Sequence, residues 1–163
     1  MNEININSLA SDYQVINIKD ADGNVLKQIK FKKLSMARTF DIADKYNNLF
    51  RSMTPIIMAA RDKMSDIQKK EYDSKTFEQQ AEYILFQNMS LSKKWTMNLI
   101  NICLEIITPA KFGERLKYKY SKDYVSKKWI MNNLTAEQVK QFTDIVLAPI
   151  LGEKKKTEMK IKG

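Results

Sequence analysis

Residues 20–24, Asp-Ala-Asp-Gly-Asn, have the composition of a cation-binding loop. A helix-loop-helix calcium site needs glycine at its sixth position, a carboxylate at its first and a bidentate glutamate at its twelfth. Aligning Gly23 with the sixth position places Ile18 first and Ile29 twelfth. Both are apolar, so the segment is read as a turn. Asp41 with Asp44, and Glu71 with Asp73, are the remaining carboxylate pairs that could hold magnesium or act together on a glycosidic bond. Each lies among Lys or Arg, which suits a solvated face. The chain has no histidine, the side chain most used for proton transfer near neutral pH. Its one cysteine, Cys103, sits in the apolar run LINICLEII and reads as a buried thiol. Its four glycines, at 23, 113, 152 and 163, fit neither a dinucleotide fingerprint nor a phosphate loop. The expectation is a protein without catalytic, cofactor-binding or metal-binding residues, and not an enzyme.

Binding chemistry is better represented. In residues 111–129, KFGERLKYKYSKDYVSKKW, bases and aromatic rings are interleaved. Lys111, Arg115, Lys117, Lys119 and Lys122 could meet phosphates while Tyr118 and Tyr120 stack on bases, as on a single-stranded nucleic acid. The competing reading is an amphipathic surface helix. In it Phe112, Leu116 and Tyr120, four apart, face the core, and Lys111, Arg115, Lys119 and Lys122 run along another face. Neither a helix-turn-helix nor a zinc-finger pattern accompanies the stretch. The nine methionines are a second signal, since flexible thioethers suit surfaces that accept varied apolar partners.

The elements that carry these residues follow from periodicity. Residues 1–12 are polar and expected to be flexible. Residues 13–19 and 25–31 alternate on either side of the turn, which predicts a β-hairpin over 13–34, with Gly23 or Asn24 at positive φ. Ser35 is the expected cap of a helix carrying Met36, Phe40, Ala43, Tyr46, Phe50 and Met53 on one face. Thr54-Pro55 is expected to break and restart it. Residues 65–76 read as a polar linker with room for some helix, and Phe77 to about Met89 as the next helix. Ser92 is the expected cap of an apolar helix with Trp95, Met97, Ile100 and Cys103. One or two helices follow in 109–132. Thr135 and Gln138 then form a capping box for a last helix, ended by Pro149 and Gly152. The fold class is mainly α: an N-terminal β-hairpin, then a bundle of about six helices in one helical domain, 35–151, and a basic mobile tail, 152–163. With 44% hydrophobic residues and few helix breakers, the chain can bury a core. The most apolar window, 95–107, is short for a membrane span and carries Glu105, and the N-terminus has no apolar run resembling a signal peptide. The expected setting is therefore the cytoplasm, with no membrane contact. The net charge of +9 suits an acidic partner, nucleic acid or simple solubility.

The hairpin, then IKFKKLSMARTFDIADKYN (residues 29–47), then helices only, resembles the tail assembly chaperones of phages and phage-like elements in low-GC Gram-positive bacteria. The matching positions are Ile29, Phe31, Lys32, Lys33, Leu34, Ser35 and Phe40; beyond them the likeness is one of size and helical character. The resemblance implies a non-enzymatic protein of the bacterial host cytoplasm. It would bind the tape-measure protein, keep it soluble while the tail tube is built, and self-associate. A binder of that kind needs an adaptable apolar groove, for which Met53, Ile57, Met58, Met89, Trp95 and Met97 are the candidate lining. Ile16, Ile18, Ile29 and Phe31 of the hairpin are the candidate homo-oligomerisation surface, since a two-stranded hairpin is marginal alone and offers free edges. A small nucleic-acid-binding protein and a structural tail or baseplate component are the alternatives.

Overall fold

The computed structural model describes residues 4–8, 13–20 and 22–151. The fold is mainly α, with an antiparallel hairpin ahead of the helices. The expected hairpin is β2 (Tyr13–Lys19) and β3 (Val25–Lys32). A third strand, β1 (Ile4–Ser8), pairs antiparallel with β2, so part of the segment read as flexible is sheet. The sheet order is β1-β2-β3. The basic tail, 152–163, lies outside the described residues.

The Asp-Ala-Asp-Gly-Asn segment is a turn. Asp20 Oδ1 accepts hydrogen bonds from the backbone N–H of Asn24 at 2.8 Å and of Asp22 at 3.0 Å. Gly23 takes φ +84°, a region closed to most side chains, as the turn requires. The Asn24 N–H, with smaller help from the Asn24 side chain and from Asp22 and Gly23, holds the Asp20 carboxyl below its ordinary value. In the paired strands Ile16 stands opposite Ile29 and Gln14 opposite Phe31, so Ile16, Ile18, Ile29 and Phe31 share one face. All four are buried.

The described residues divide into two compact units. One comprises the described residues up to Ile42 and from Ile100 on, the other Ala43–Leu99. In the first unit the sheet is joined by the opening turns of α1 (Met36–Asp62), the second half of α4 (Met89–Ile107), α5 (Phe112–Lys119), α6 (Lys127–Asn133) and α7 (Ala136–Leu151). Ser35 caps α1 as expected, its Oγ accepting from the Arg38 N–H at 3.3 Å. α7 lies against β1. Thr135 and Gln138 close the capping box of α7: Thr135 N–H donates to Gln138 Oε1 at 2.8 Å, and Gln138 N–H to Thr135 Oγ1 at 3.3 Å. Pro149 lies within the helix it was expected to end. Ile42, Ile100, Cys103, Ile106, Val125, Ile130, Phe142 and Val146 are buried in this unit along with the sheet face. Burial, with a smaller contribution from Asp144, pushes the Cys103 thiol far above its usual range, as befits an unreactive core residue.

The second unit is helical: the rest of α1, α2 (Asp66–Asp73), α3 (Phe77–Gln87) and the first half of α4. α1 runs through Pro55 without the expected break. A proline there removes the bond to the Arg51 carbonyl and crowds it, at a cost of about 3 kcal/mol. Met53 and Ile57, on either side, are both buried. At about 1.5–3 kcal/mol each, their burial outweighs the lost bond. The segment read as a linker is α2, held by a capping box in which Ser65 Oγ accepts from Gln68 N–H and Gln68 Oε1 from Ser65 N–H. Tyr72, on its last turn, is buried. Thr76 and Gln79 repeat the box at the start of α3. α4 begins a turn earlier than expected: Asn88, not Ser92, caps it, Asn88 Oδ1 accepting from Leu91 N–H at 3.0 Å.

Candidate interaction surface

The carboxylate pairs do not converge on a site. Asp73 takes two short bonds from Arg61, from Nε at 2.7 Å and Nη2 at 2.6 Å, and Glu71 lies 3.6 Å from Lys75 Nζ. The bidentate Arg61 guanidinium holds the Asp73 carboxyl below its ordinary value. Asp41 and Asp44 are exposed on α1. Among the described residues there is no group of three or more His, Cys, Asp or Glu that could hold a metal ion.

The six candidate groove residues separate into two sets. Met53 and Ile57 are buried in the core of the second unit with Tyr72, Ala81, Ile84 and Leu85, and Trp95 packs against that cluster. Phe50 stacks on the same side, its ring 5.0 Å from Trp95 edge-on and 4.8 Å from Tyr46. These are filled positions, not the wall of an open groove. Met58 and Met89 are 61% and 81% exposed, and Met97 is half-buried. A stripe of methionines at helical spacing does not reveal which members have been covered by neighbouring helices.

The hairpin residues proposed for self-association, Ile16, Ile18, Ile29 and Phe31, are likewise covered within the chain. β1 takes the outer edge of β2. β3 remains an edge of the sheet, and it carries Lys27, Lys30 and Lys32, charges of the kind that discourage strand addition.

The basic aromatic stretch leaves a line of apolar side chains open to solvent. α5 has no buried residue. Phe112, Leu116 and Tyr120, which the amphipathic-helix reading turns to the core, are 74%, 43% and 82% exposed. The face turned inward is instead that of Tyr118, which is half-buried. Its hydroxyl accepts from the Val125 N–H at 3.1 Å, and its ring meets Tyr124 edge-on at 5.5 Å. Burial raises the Tyr118 hydroxyl above its ordinary value, partly offset by that N–H. Tyr118 is thus a structural anchor and not a stacking platform. Tyr118→Phe leaves the Val125 amide without its partner, and we expect a loss of about 1–3 kcal/mol in urea unfolding. A variant as stable as the parent would remove this role.

Lys111, Arg115, Lys117, Lys119 and Lys122 are all exposed. On the helix, Lys111, Arg115 and Lys119 border the Phe112–Leu116–Tyr120 line on one side and Lys117 on the other, while Glu114 falls towards the inward face. The segment is fixed at both ends. Lys27 Nζ on β3 donates to the Lys122 carbonyl at 2.6 Å and lies 5.7 Å from the Trp129 ring. Before α5, Arg38 donates to the carbonyls of Glu105 at 2.7 Å and Thr108 at 3.5 Å, a cation at the carbonyl end of α4. Arg115 Nη2 donates to the Ala110 carbonyl at 3.0 Å. Both guanidiniums border a cleft of about 420 Å³ beside Glu105 and Pro109, and both are engaged in holding its backbone walls.

Geometry and chemistry together describe a mainly helical protein with an exposed surface that is charged and partly apolar. No family model, curated protein or solved structure matches the chain. Among the described residues, no helix is long and apolar enough to cross a membrane.

Proposed function

We propose that this chain works without catalysing a reaction, as an assembly chaperone that keeps a long amphipathic helical protein in solution. By the resemblance of residues 29–47 to tail assembly chaperones, the partner is the tape-measure protein of a phage or phage-like element, and the setting is the cytoplasm of the bacterial host. The observation that supports this most directly is α5, an amphipathic helix whose apolar line is left open to solvent. Such a surface is unfavourable on an isolated protein and useful on one that covers another's apolar stripe. Further exposed side chains on the second unit, Met58, Phe86 and Met89, suit adaptable contact with varied apolar sequence. Co-expression with a tape-measure protein encoded beside it should move that protein from the insoluble to the soluble fraction. No gain in its solubility would end the proposal.

A nucleic-acid partner is the second reading, favoured by the exposed bases and the open rings of Phe112 and Tyr120. It has lost Tyr118, whose ring and hydroxyl are engaged within the chain. It requires retention on single-stranded DNA at low salt, weakening steeply as salt rises. A role as a structural tail or baseplate component would show as recovery within particles instead of as a free protein. Self-association, if present, would use surfaces other than the buried hairpin face.

A further inference from the structure

We propose that the Phe112–Leu116–Tyr120 line of α5 is a docking ridge for an amphipathic helix whose own apolar stripe is flanked by acidic side chains. This rests on the assembly-chaperone reading and assigns it a surface and a partner chemistry. Residues at i, i+4 and i+8 form the ridge by which one helix seats between the side-chain rows of another. The ridge is about 12 Å long, two turns of a facing helix.

Its flanks specify charge. Lys111, Arg115 and Lys119 border the line on one side and Lys117 on the other, and none of them forms an ion pair among the described residues. Glu114, one i,i+3 step before Lys117, is not paired with it either. Elsewhere on the surface this chain does pair its charges, as in Arg61 with Asp73 and Lys75 with Glu71. An apolar line bordered on both sides by unpaired cations matches a stripe bordered by carboxylates. It repels one bordered by lysines, because like charges brought together across an interface oppose docking. The ridge is also held in place before any partner arrives, by Tyr118 beneath it and by Lys27 on the Lys122 carbonyl after it.

The test uses the full chain and three labelled helical peptides of about three heptads. One has a Leu stripe flanked by Glu, one the same stripe flanked by Lys, and one keeps Glu but has Ser in place of Leu. The first should bind at least about tenfold more tightly than either of the others, and more weakly as salt rises. Two variants change only exposed side chains: Phe112→Ser with Tyr120→Ser, and Lys111→Glu with Lys117→Glu and Lys119→Glu. Each should lose about tenfold or more in affinity for the acidic peptide, with an unchanged circular dichroism spectrum. Equal binding of the Glu-flanked and Lys-flanked peptides, or unaltered binding by both variants, would overturn the proposal. So would retention on anionic vesicles or DNA without peptide binding. The same variants in the co-expression assay separate the two ideas. If they keep the partner soluble as well as the parent does, the ridge is wrong and the chaperone reading stands. If the acidic peptide binds at the ridge but the parent confers no solubility, the chaperone reading falls and the ridge remains.

Discussion

Ile16→Ala should cost about 2–5 kcal/mol of stability, the range for truncating a fully buried isoleucine. Ile16 is 0% exposed, sits on the central strand, and stands opposite Ile29, also 0% exposed. The truncation removes apolar area and leaves a cavity bounded by a sheet that cannot close on it without breaking its register. With a urea dependence of about 1–3 kcal/mol per molar, a loss of about 3 kcal/mol lowers the midpoint by about 1–3 M. The same experiment decides between two uses of this face. If Ile16 packs within its own chain, the loss is the same at low and high protein concentration. If it were part of a seam between copies, stability would be linked to concentration and the loss would grow with it. Ile29→Ala should cost a similar amount. The double variant should cost less than the sum, because the two positions share one cavity. A loss below about 1 kcal/mol for Ile16→Ala would mean that this face is not the core of the first unit.

The hairpin was legible because its signals are local. Period-two alternation, a glycine at the one position that needs positive φ, and an aspartate able to accept from the amides after it all lie within 20 residues of one another. β1 carried the same alternation in ININ, but its polar partners and short length made it read as coil. The polar stretch 65–76 also carries a local helix signal. Ser65 with Gln68 and Thr76 with Gln79 are capping boxes at the same spacing as Thr135 with Gln138. Its polar composition masks that signal and with it the buried Tyr72. Pro55 is the opposite case: the local rule for proline predicts a break, and burial of Met53 and Ile57 prevails over it.

α5 marks a limit of another kind. The steps of four from Phe112 to Tyr120 correctly indicate an amphipathic helix. They do not indicate whether the rest of this chain, or some other molecule, covers the apolar side. That depends on how the helix is turned on its anchor, and here the anchor is Tyr118, on nearly the opposite face. Met36 and Phe40, at the start of α1, behave similarly: they are 76% and 65% exposed, although Tyr46 and Met53 on the same expected face are buried, and Ile42 takes the inward position near them.

Met53 and Met58 turn that ambiguity into a measurement. Both are methionines on α1, five residues apart and on different faces, and from the sequence both were candidates for the same groove. Met53 is 3% exposed and packed with Ile57, Tyr72, Ala81, Ile84 and Leu85. Met53→Ala should therefore destabilise the second unit by about 2–5 kcal/mol, through lost contacts and a cavity among helices pinned by their capping boxes. It should also speed hydrogen exchange of the α2 and α3 amides, whose helices depend on that cluster. Met58, mostly solvated, gains nothing comparable from folding, so Met58→Ala should stay within about 0.5 kcal/mol of the parent. On the assembly-chaperone proposal the order reverses for partner binding. Truncating Met58 removes surface that a docked helix could use, whereas Met53 offers none unless the unit opens. Comparable stability losses for the two variants would show that the α1 stripe has been assigned to the wrong face. If Met53→Ala alone impaired solubilisation of the partner while stability held, the second unit would have to open to receive it.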